Sequence, residues 1–282
     1  MKKPLWLNKK LYLGYSQTRH TLKSLNLNTV CEEARCPNIS ECFSKGTATF
    51  MILGNICTRN CLFCAVNKGK PYGIDYSEAD RILEAVKKLN LNYLVITSPT
   101  RDDLDDGGAY VFYRTVKILR ENNPNLIIEL LVPDFLGKIG SIKLIVKSGA
   151  NVIGHNLETV PFLYSKVRPE GDYKRSLEVL RLIKKLNPTI ITKSALLLGL
   201  GETCEQIFDV FSDLREVGCD WLTLGQYLAP SLQHHTPQEY VSIEKFLLLE
   251  KKARKLGFKA VISSPYARSS YFSSLIFKEL IK

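Results

Sequence analysis

A chain of 282 residues that is 45% hydrophobic and 24% charged is globular in composition and has enough apolar material for a sizeable core. Its 39 Lys and Arg against 28 Asp and Glu leave a formal charge of +11, a field that favours acidic partners and says nothing about fold. Four histidines with no HExxH pattern give little support to metal hydrolysis or histidine-based acid-base catalysis, and no stretch approaches a membrane span.

The first ten residues are basic and lack the apolar segment and small-residue cleavage site of a secretory signal, so a cytoplasmic location and reduced thiols are expected. Six of the eight cysteines then fall in two triplets: Cys31, Cys36 and Cys42, spaced C-x4-C-x5-C, and Cys57, Cys61 and Cys64, spaced C-x3-C-x2-C. Between them an apolar run at 49–53 reads as a strand that leads directly into the second triplet. A helix is expected from about Ser77, with Ile82, Leu83, Val86 and Leu89 on one face. Apolar runs at 93–97, 126–132, 151–154, 189–194 and 221–224 read as buried parallel strands. Amphipathic stretches at 111–120, 139–147, 173–186, 205–217 and 243–256 read as the helices that separate them, followed by a strand at 259–263. Strand and helix in alternation favour right-handed βαβ units closing into a barrel or part of one, and single barrels commonly have this length. Active sites of such folds form at the C-terminal ends of the strands. The polar segments 55–64, 98–108, 155–158 and 199–202 fall at those ends, which places the second cysteine triplet in the mouth of the barrel.

The count of three thiolates per triplet carries the chemistry. A closed zinc site takes four ligands, and no histidine occurs between His20 and His155 to complete either triplet. An iron-sulfur cubane has four irons, so three cysteines leave one iron open for a substrate or an unusual fourth ligand. One four-cysteine zinc site with two cysteines left over, or three disulfides, would use the same residues. A zinc-dependent nucleic-acid-binding module would also use the positive charge, but zinc-finger and RRM signatures and an aromatic-rich basic strand are absent. Cys204 and Cys219 stand apart near expected helix ends, where a buried, inert thiol is the expected role.

The second triplet resembles the signature of the radical S-adenosylmethionine (SAM) enzymes. Together with the first triplet, with Arg268, Ser269, Ser270 and Tyr271, and with intervening segments such as 95–98, 101–108, 155–161, 193–203 and 222–228, it makes the whole chain similar to the lipoyl synthase family. Departures at Pro99, Thr100, Gly154, Phe162, Ser264 and 233–239 leave every cluster ligand in place.

The resemblance implies a partial (β/α)6 TIM-like barrel of the radical SAM type at 49–258. Residues 1–48 form an N-terminal extension with the auxiliary-cluster motif, and 259–282 a C-terminal segment with the serine motif. The activity it implies is insertion of two sulfur atoms at carbons 6 and 8 of an octanoyl chain on a carrier protein, using SAM and two 4Fe-4S clusters. Cys57, Cys61 and Cys64 would hold the cluster whose open iron chelates SAM and whose electron yields the 5'-deoxyadenosyl radical. Cys31, Cys36 and Cys42 would hold an auxiliary cluster that gives up its own sulfide, with Ser270 as fourth ligand and Ser269 as runner-up; the bland reading of both serines is a cap on a helix at 272–281. Candidate SAM contacts are Phe63, for which packing beneath the loop is an equal reading, Thr97 and Ser98 at the end of the second strand, Asn156 and Glu158 after the fourth, and Lys193 read as the end of the fifth. Arg101, Asp102 and Asp103 fit a loop-fixing role as well as a ligand-contacting one. Expected partners are octanoylated lipoyl domains of 2-oxoacid dehydrogenase complexes or the glycine cleavage H protein, a donor such as ferredoxin or flavodoxin, and an iron-sulfur carrier, with no nucleic acid and no membrane. Within the same superfamily, tRNA methylthiolation and biotin-type sulfur insertion are alternatives that the first triplet and the Arg268 motif disfavour.

Overall fold

The computed structural model describes residues 3–10, 12–14 and 16–280, so Ile281, the last residue of the expected C-terminal helix, lies outside the described residues. The chain forms two compact units, one of Lys10–Arg59 and Ala65–Ile153, the other of Met1–Lys9, Asn60–Cys64 and Gly154–Lys282.

The first unit opens with α1 (Ser16–Ser24), the two-residue strand β1 (Asn28–Thr29) and two short helices, α2 (Val30–Glu33) and α3 (Ile39–Ser44). Next come β2 (Thr49–Met51), the small strands β3 (Ile56–Cys57) and β4 (Asn67–Lys68), α4 (Glu78–Lys88), β5 (Tyr93–Thr97), α5 (Ala109–Asn122), β6 (Ile127–Leu131) and α6 (Ile139–Val146). The unit reaches into β7 (Val152–Gly154). β2 runs parallel to β5, Thr49 opposite Val95, and β5 parallel to β6, Tyr93 opposite Ile127. The central strands are apolar on consecutive residues because helices cover one face and the interior the other. Ile82 and Val86 of α4, Phe112, Val116 and Leu119 of α5, and Ile142 and Ile145 of α6 are buried as the periodicity requires. β1, antiparallel to β2, and the pair β3 and β4 escape sequence reading, since two residues carry no periodicity.

The second unit contains α7 (Tyr164–Val167), α8 (Tyr173–Leu186), β8 (Ile191–Leu198), α9 (Cys204–Glu216), β9 (Trp221–Gln226), α10 (Ile243–Lys255), β10 (Ala260–Ser263) and α11 (Ser273–Leu280). β8, β9 and β10 are parallel, with Lys193 opposite Trp221 and Ala260 opposite Trp221 on its other side. Leu196, Leu198, Leu222, Leu224 and Val261 share a core with Leu180 of α8, Val210 and Phe211 of α9, and Phe246 and Leu249 of α10. Strand alternation leaves Lys193, Ala195, Trp221, Thr223 and Gly225 on the opposite face. Beyond β7 the backbone stays beside β8: the amides of His155 and Glu158 donate to Lys193 and Ala195 carbonyls, both at 3.0 Å, and Leu197 donates to Glu158 at 2.8 Å.

One strand differs from expectation in a way that matters for the site. The polar pair Lys193 and Ser194 reads as the end of a strand at 189–194, yet β8 continues to Leu198 and Lys193 is its third residue. Polarity is a stop signal only where the polar atoms must reach water, and Lys193 is fully buried with partners of its own.

Asp220, just before β9, ties this unit together. Its carboxylate takes Lys184 at 2.5 Å, Lys259 at 2.9 Å and the Thr192 amide at 2.9 Å. Burial opposes its charge, but these partners outweigh burial and hold the carboxyl below its ordinary value. A depressed folded pKa means that the stabilisation is complete above the unfolded value and is lost as pH falls through the folded one. Asp220→Asn is therefore expected to cost about 2 kcal/mol near neutral pH. Thermal melts of variant and wild type should converge in acid; a gap that persists undiminished at about pH 2 excludes this origin.

Candidate active site

The first cysteine triplet lies wholly in the first unit, on α2, α3 and their connection. Thr29 caps α2 by accepting from the Glu32 amide at 3.2 Å. Arg35 takes a left-handed conformation (φ 50°), and the Cys36 amide then closes back on the Cys31 carbonyl at 3.0 Å. The Cys42 carbonyl accepts from the Thr47 amide and hydroxyl, each at 2.9 Å, which fixes the end of α3. Burial pushes the Cys31 thiol up to about 12, and Cys36 and Cys42 stand near enough to add to that rise, against the hydrogen bonds from Thr49.

In the second triplet, Cys57 belongs to the first unit, and Cys61 and Cys64 to the second. Around Cys57 the chain is clamped: the Thr58 amide and hydroxyl both donate to the Thr100 carbonyl at 3.0 Å, and the Asp102 amide donates to the Thr58 hydroxyl at 3.1 Å. Arg59, 3% exposed, donates to both oxygens of Asp102 at 2.7 and 2.9 Å and to both of Asp134 at 2.6 and 3.0 Å. Its amide reaches the Cys57 sulfur at 3.4 Å. In the second unit Leu62 donates to Val167 at 2.9 Å, His235 donates to Leu62 at 2.9 Å, and the His234 ring meets the Cys64 carbonyl at 3.2 Å. Phe63 packs against the core of this unit.

Of the other sequence candidates, Thr97 donates its hydroxyl to the Leu131 carbonyl at 2.8 Å, within the sheet. Ser98 is different. Its hydroxyl oxygen is enclosed and has no partner among the described residues. Asn156 accepts from the Ser269 hydroxyl at 3.1 Å and donates to Glu158 at 3.0 Å. Enclosure raises the Glu158 carboxyl above its ordinary value, against the pull of Arg168, Asn156 and Arg268. Lys193 lies near the start of β8, where its ammonium donates to the Ser273 hydroxyl at 2.8 Å and sits 3.7 Å from the Trp221 ring centroid. Arg101 and Asp103 form a two-pronged pair at 2.9 and 2.8 Å, and Arg101 also donates to the Leu53 carbonyl at 3.1 Å, a loop-fixing arrangement.

The C-terminal serines sit on a segment pressed against β9. A Cβ on Gly225 would stand 2.1 Å from the Ala267 carbonyl oxygen, so glycine is required there for close approach, and the Gln226 amide donates to Pro265 at 3.1 Å. α11 starts at Ser273, directly after Phe272 (φ 55°), so neither Ser269 nor Ser270 holds the position before the helix. Ser269 is buried and spends its hydroxyl on Asn156, while Ser270 is half-buried.

Residues 51–214 match the family described as the radical SAM superfamily, and residues 1–36 match the N-terminal domain of lipoyl synthase of that family. The chain is 51% identical over 274 residues to the lipoyl synthase of Caldicellulosiruptor saccharolyticus, covering 96% of each. With the lipoyl synthase of Aquifex aeolicus it shares 51% over 278 residues, 98% of this chain and 99% of the relative. The chain belongs to the lipoyl synthase family. Two solved structures share its fold at low identity: methylornithine synthase (PylB), with a TM-score of 0.55 and 15% identity over 96% of this chain and 92% of that one, and the hydrogenase maturase HydG, with 0.60 and 14% over 99% and 71%. The fold is thus the radical SAM α/β type expected from the sequence. Membership makes the chain a radical SAM enzyme whose cofactors are SAM and 4Fe-4S clusters.

The residues present suit those cofactors. All eight cysteines are free thiols, so both triplets are available as soft ligands. Among the described residues no three His, Cys, Asp or Glu side chains converge on a point that would hold one metal ion. Each thiolate of a cubane binds a separate iron, so three thiols suit a cluster with one open position. The orphaned Ser98 hydroxyl is a polar atom with its bonding capacity unspent at the end of β5. Cys219 is fully buried, its thiol pushed up to about 12 by burial, as an inert thiol should be. Cys204 departs from that expectation, being half-buried as the first residue of α9.

Three organising residues were not singled out from sequence. Arg59 stands inside the cysteine loop, a signal that was visible; its partner Asp134, fully buried and 75 positions away, offered none. Glu202 gathers the amides of Gly199, Leu200 and Gly201 at 2.5, 2.9 and 3.1 Å, a clamp on the glycine loop that its spacing could have suggested.

Proposed function

We propose that this chain inserts two sulfur atoms at carbons 6 and 8 of an octanoyl group carried on a lipoyl domain, with Cys57, Cys61 and Cys64 on the SAM-binding cluster and Cys31, Cys36 and Cys42 on an auxiliary, sulfur-donating one. The observation that carries this reading is the pairing of both triplets with the serine segment in one chain that is about half identical to lipoyl synthases over nearly its whole length. The target methylenes bear no activating group, so no side-chain acid or base can remove their hydrogens; bound SAM and its cluster supply hydrogen-abstracting radical chemistry. The chain's own part is to hold and orient. Ser98, with its hydroxyl unspent, and Asn156 and Glu158 beyond β7 are the residues offered to SAM; Thr97 is tied into the sheet beside Ser98, and Phe63 into the core of the second unit. Ser270 is offered to the auxiliary cluster in preference to Ser269, because the Ser269 hydroxyl is engaged by Asn156. A serine oxygen is a harder ligand than a thiolate, which makes its iron the easiest to release. Residues 1–48 and 259–282 act as extensions that serve this auxiliary centre. The acyl carrier is a lipoyl domain of a 2-oxoacid dehydrogenase complex or the glycine cleavage H protein, electrons come from a ferredoxin or flavodoxin, and an iron-sulfur carrier restores the consumed cluster.

Incubation with SAM, reductant and an octanoylated lipoyl domain should yield a domain whose mass has risen by two sulfur atoms. A domain that gains a methylthio group, or nothing, overturns the reading. Iron content is a second check: about eight irons in reconstituted protein, and about four when Cys57, Cys61 and Cys64 are all alanine.

The +11 charge bears on the partner. Binding of an intact acidic carrier should weaken steeply as salt screens over roughly 8 Å at physiological strength, while turnover of a short octanoyl-lysine peptide should weaken far less. Identical salt responses of carrier and peptide would assign the basic surface another purpose. No helix among the described residues is long and apolar enough to cross a membrane.

A further inference from the structure

A fully buried lysine is expensive unless its charge is paired or solvated by polar groups, and an apolar side chain would fill the same space without that cost. Lys193 is such a lysine, and it lies in the second unit together with Trp221 and Ser273. The ammonium stands 3.7 Å from the Trp221 ring centroid and donates to the Ser273 hydroxyl at 2.8 Å. Ser273 in turn donates to the Ser269 carbonyl at 3.3 Å, and the Ser269 hydroxyl donates to Asn156 at 3.1 Å. Asn156 passes the chain on to Glu158 at 3.0 Å. The relay thus holds Ser269 by both its carbonyl and its hydroxyl, one residue before Ser270. On the preceding side the Ala267 carbonyl is seated against Gly225, where no Cβ would fit.

We propose that Lys193 is a positioning residue for Ser270, holding the serine segment through Ser273 rather than touching SAM. This rests on the reading of Ser270 as the auxiliary-cluster ligand. The charge makes the first bond of the relay a charge-assisted one, which suits a segment that must keep its place while the cluster it is proposed to ligate is consumed and rebuilt.

The test uses 57Fe-labelled holoenzyme and reads two quantities: the Mössbauer signature of the auxiliary iron that bears an oxygen ligand, and amide exchange across 269–273. Ser270→Ala should remove the oxygen-ligated signature. Lys193→Met should remove or split it as well and speed amide exchange in the segment by about tenfold, while exchange in α8 and α9 stays at the wild-type rate. Ser273→Ala should reproduce the Lys193→Met result, and the double variant should be no worse than either single one, since both break the same relay. Lys193→Arg should restore the signature. If Ser270→Ala loses the signature while Lys193→Met and Ser273→Ala keep it with wild-type exchange, the inference is overturned and the ligand reading stands. If Ser270→Ala keeps the signature, the ligand reading falls and takes the inference with it. Should Lys193→Met fail to fold, the Ser273→Ala and Lys193→Arg variants decide the matter alone.

Discussion

Alanine at Cys61 is expected to reduce formation of 5'-deoxyadenosine to background, whereas alanine at Cys36 should leave reductive SAM cleavage in place and abolish only the sulfur-containing product. On the proposed assignment each triplet supplies three thiolates to one cluster, and the loss of one leaves too few to hold it. The two losses are separable because the first triplet sits on α2, α3 and their connection, with backbone bonds of its own from Arg35 to Thr47. Neither substitution should unfold the chain: Cys36 and Cys61 are only half-buried, and truncation at such positions costs about 1 kcal/mol or less. Quantifying 5'-deoxyadenosine and the carrier product side by side checks the division of labour. Equal loss of SAM cleavage in both variants would show that the clusters do not divide the work in this way.

A larger effect on stability is expected at Asp134. This carboxylate is fully buried and takes two bonds from Arg59, itself 3% exposed, so Asp134→Ala leaves half of a buried guanidinium without its counter-charge. Breaking a buried pair from one side costs about 3–5 kcal/mol. Asp102→Ala should cost less, about 1–2 kcal/mol, because Asp102 retains 26% side-chain exposure and water can replace it. Denaturant midpoints measure both losses. Because Arg59 lies two residues after Cys57, the Asp134 variant should also lose iron from the cluster proposed for Cys57, Cys61 and Cys64 at denaturant concentrations that leave the wild type loaded. Equal, small losses in the two variants would mean that Arg59 does not anchor the loop.

The helices at 173–186 and 243–256 and the strand at 93–97 were legible almost to the residue, since α8 and β5 carry unbroken periodic or continuous apolar patterns. The cysteine triplets were legible by spacing alone, because spacing is a local property of the chain. Lys193 was not legible. A lysine within an apolar run signals a strand end only until Ser273 and Trp221 are brought to it, and those lie 80 and 28 positions away. The same holds for Ser269, whose hydroxyl meets Asn156 across 113 positions, a contact that separates it from Ser270 although the two are neighbours in sequence. By itself the sequence determined the alternation of strand and helix, the spacing of the cysteines and the family. Which polar groups are spent on one another, and which remain for a cofactor, was decided only when folding paired donors and acceptors distant in the chain. A buried polar atom must find a partner wherever the fold supplies one, and local pattern carries no record of where that is.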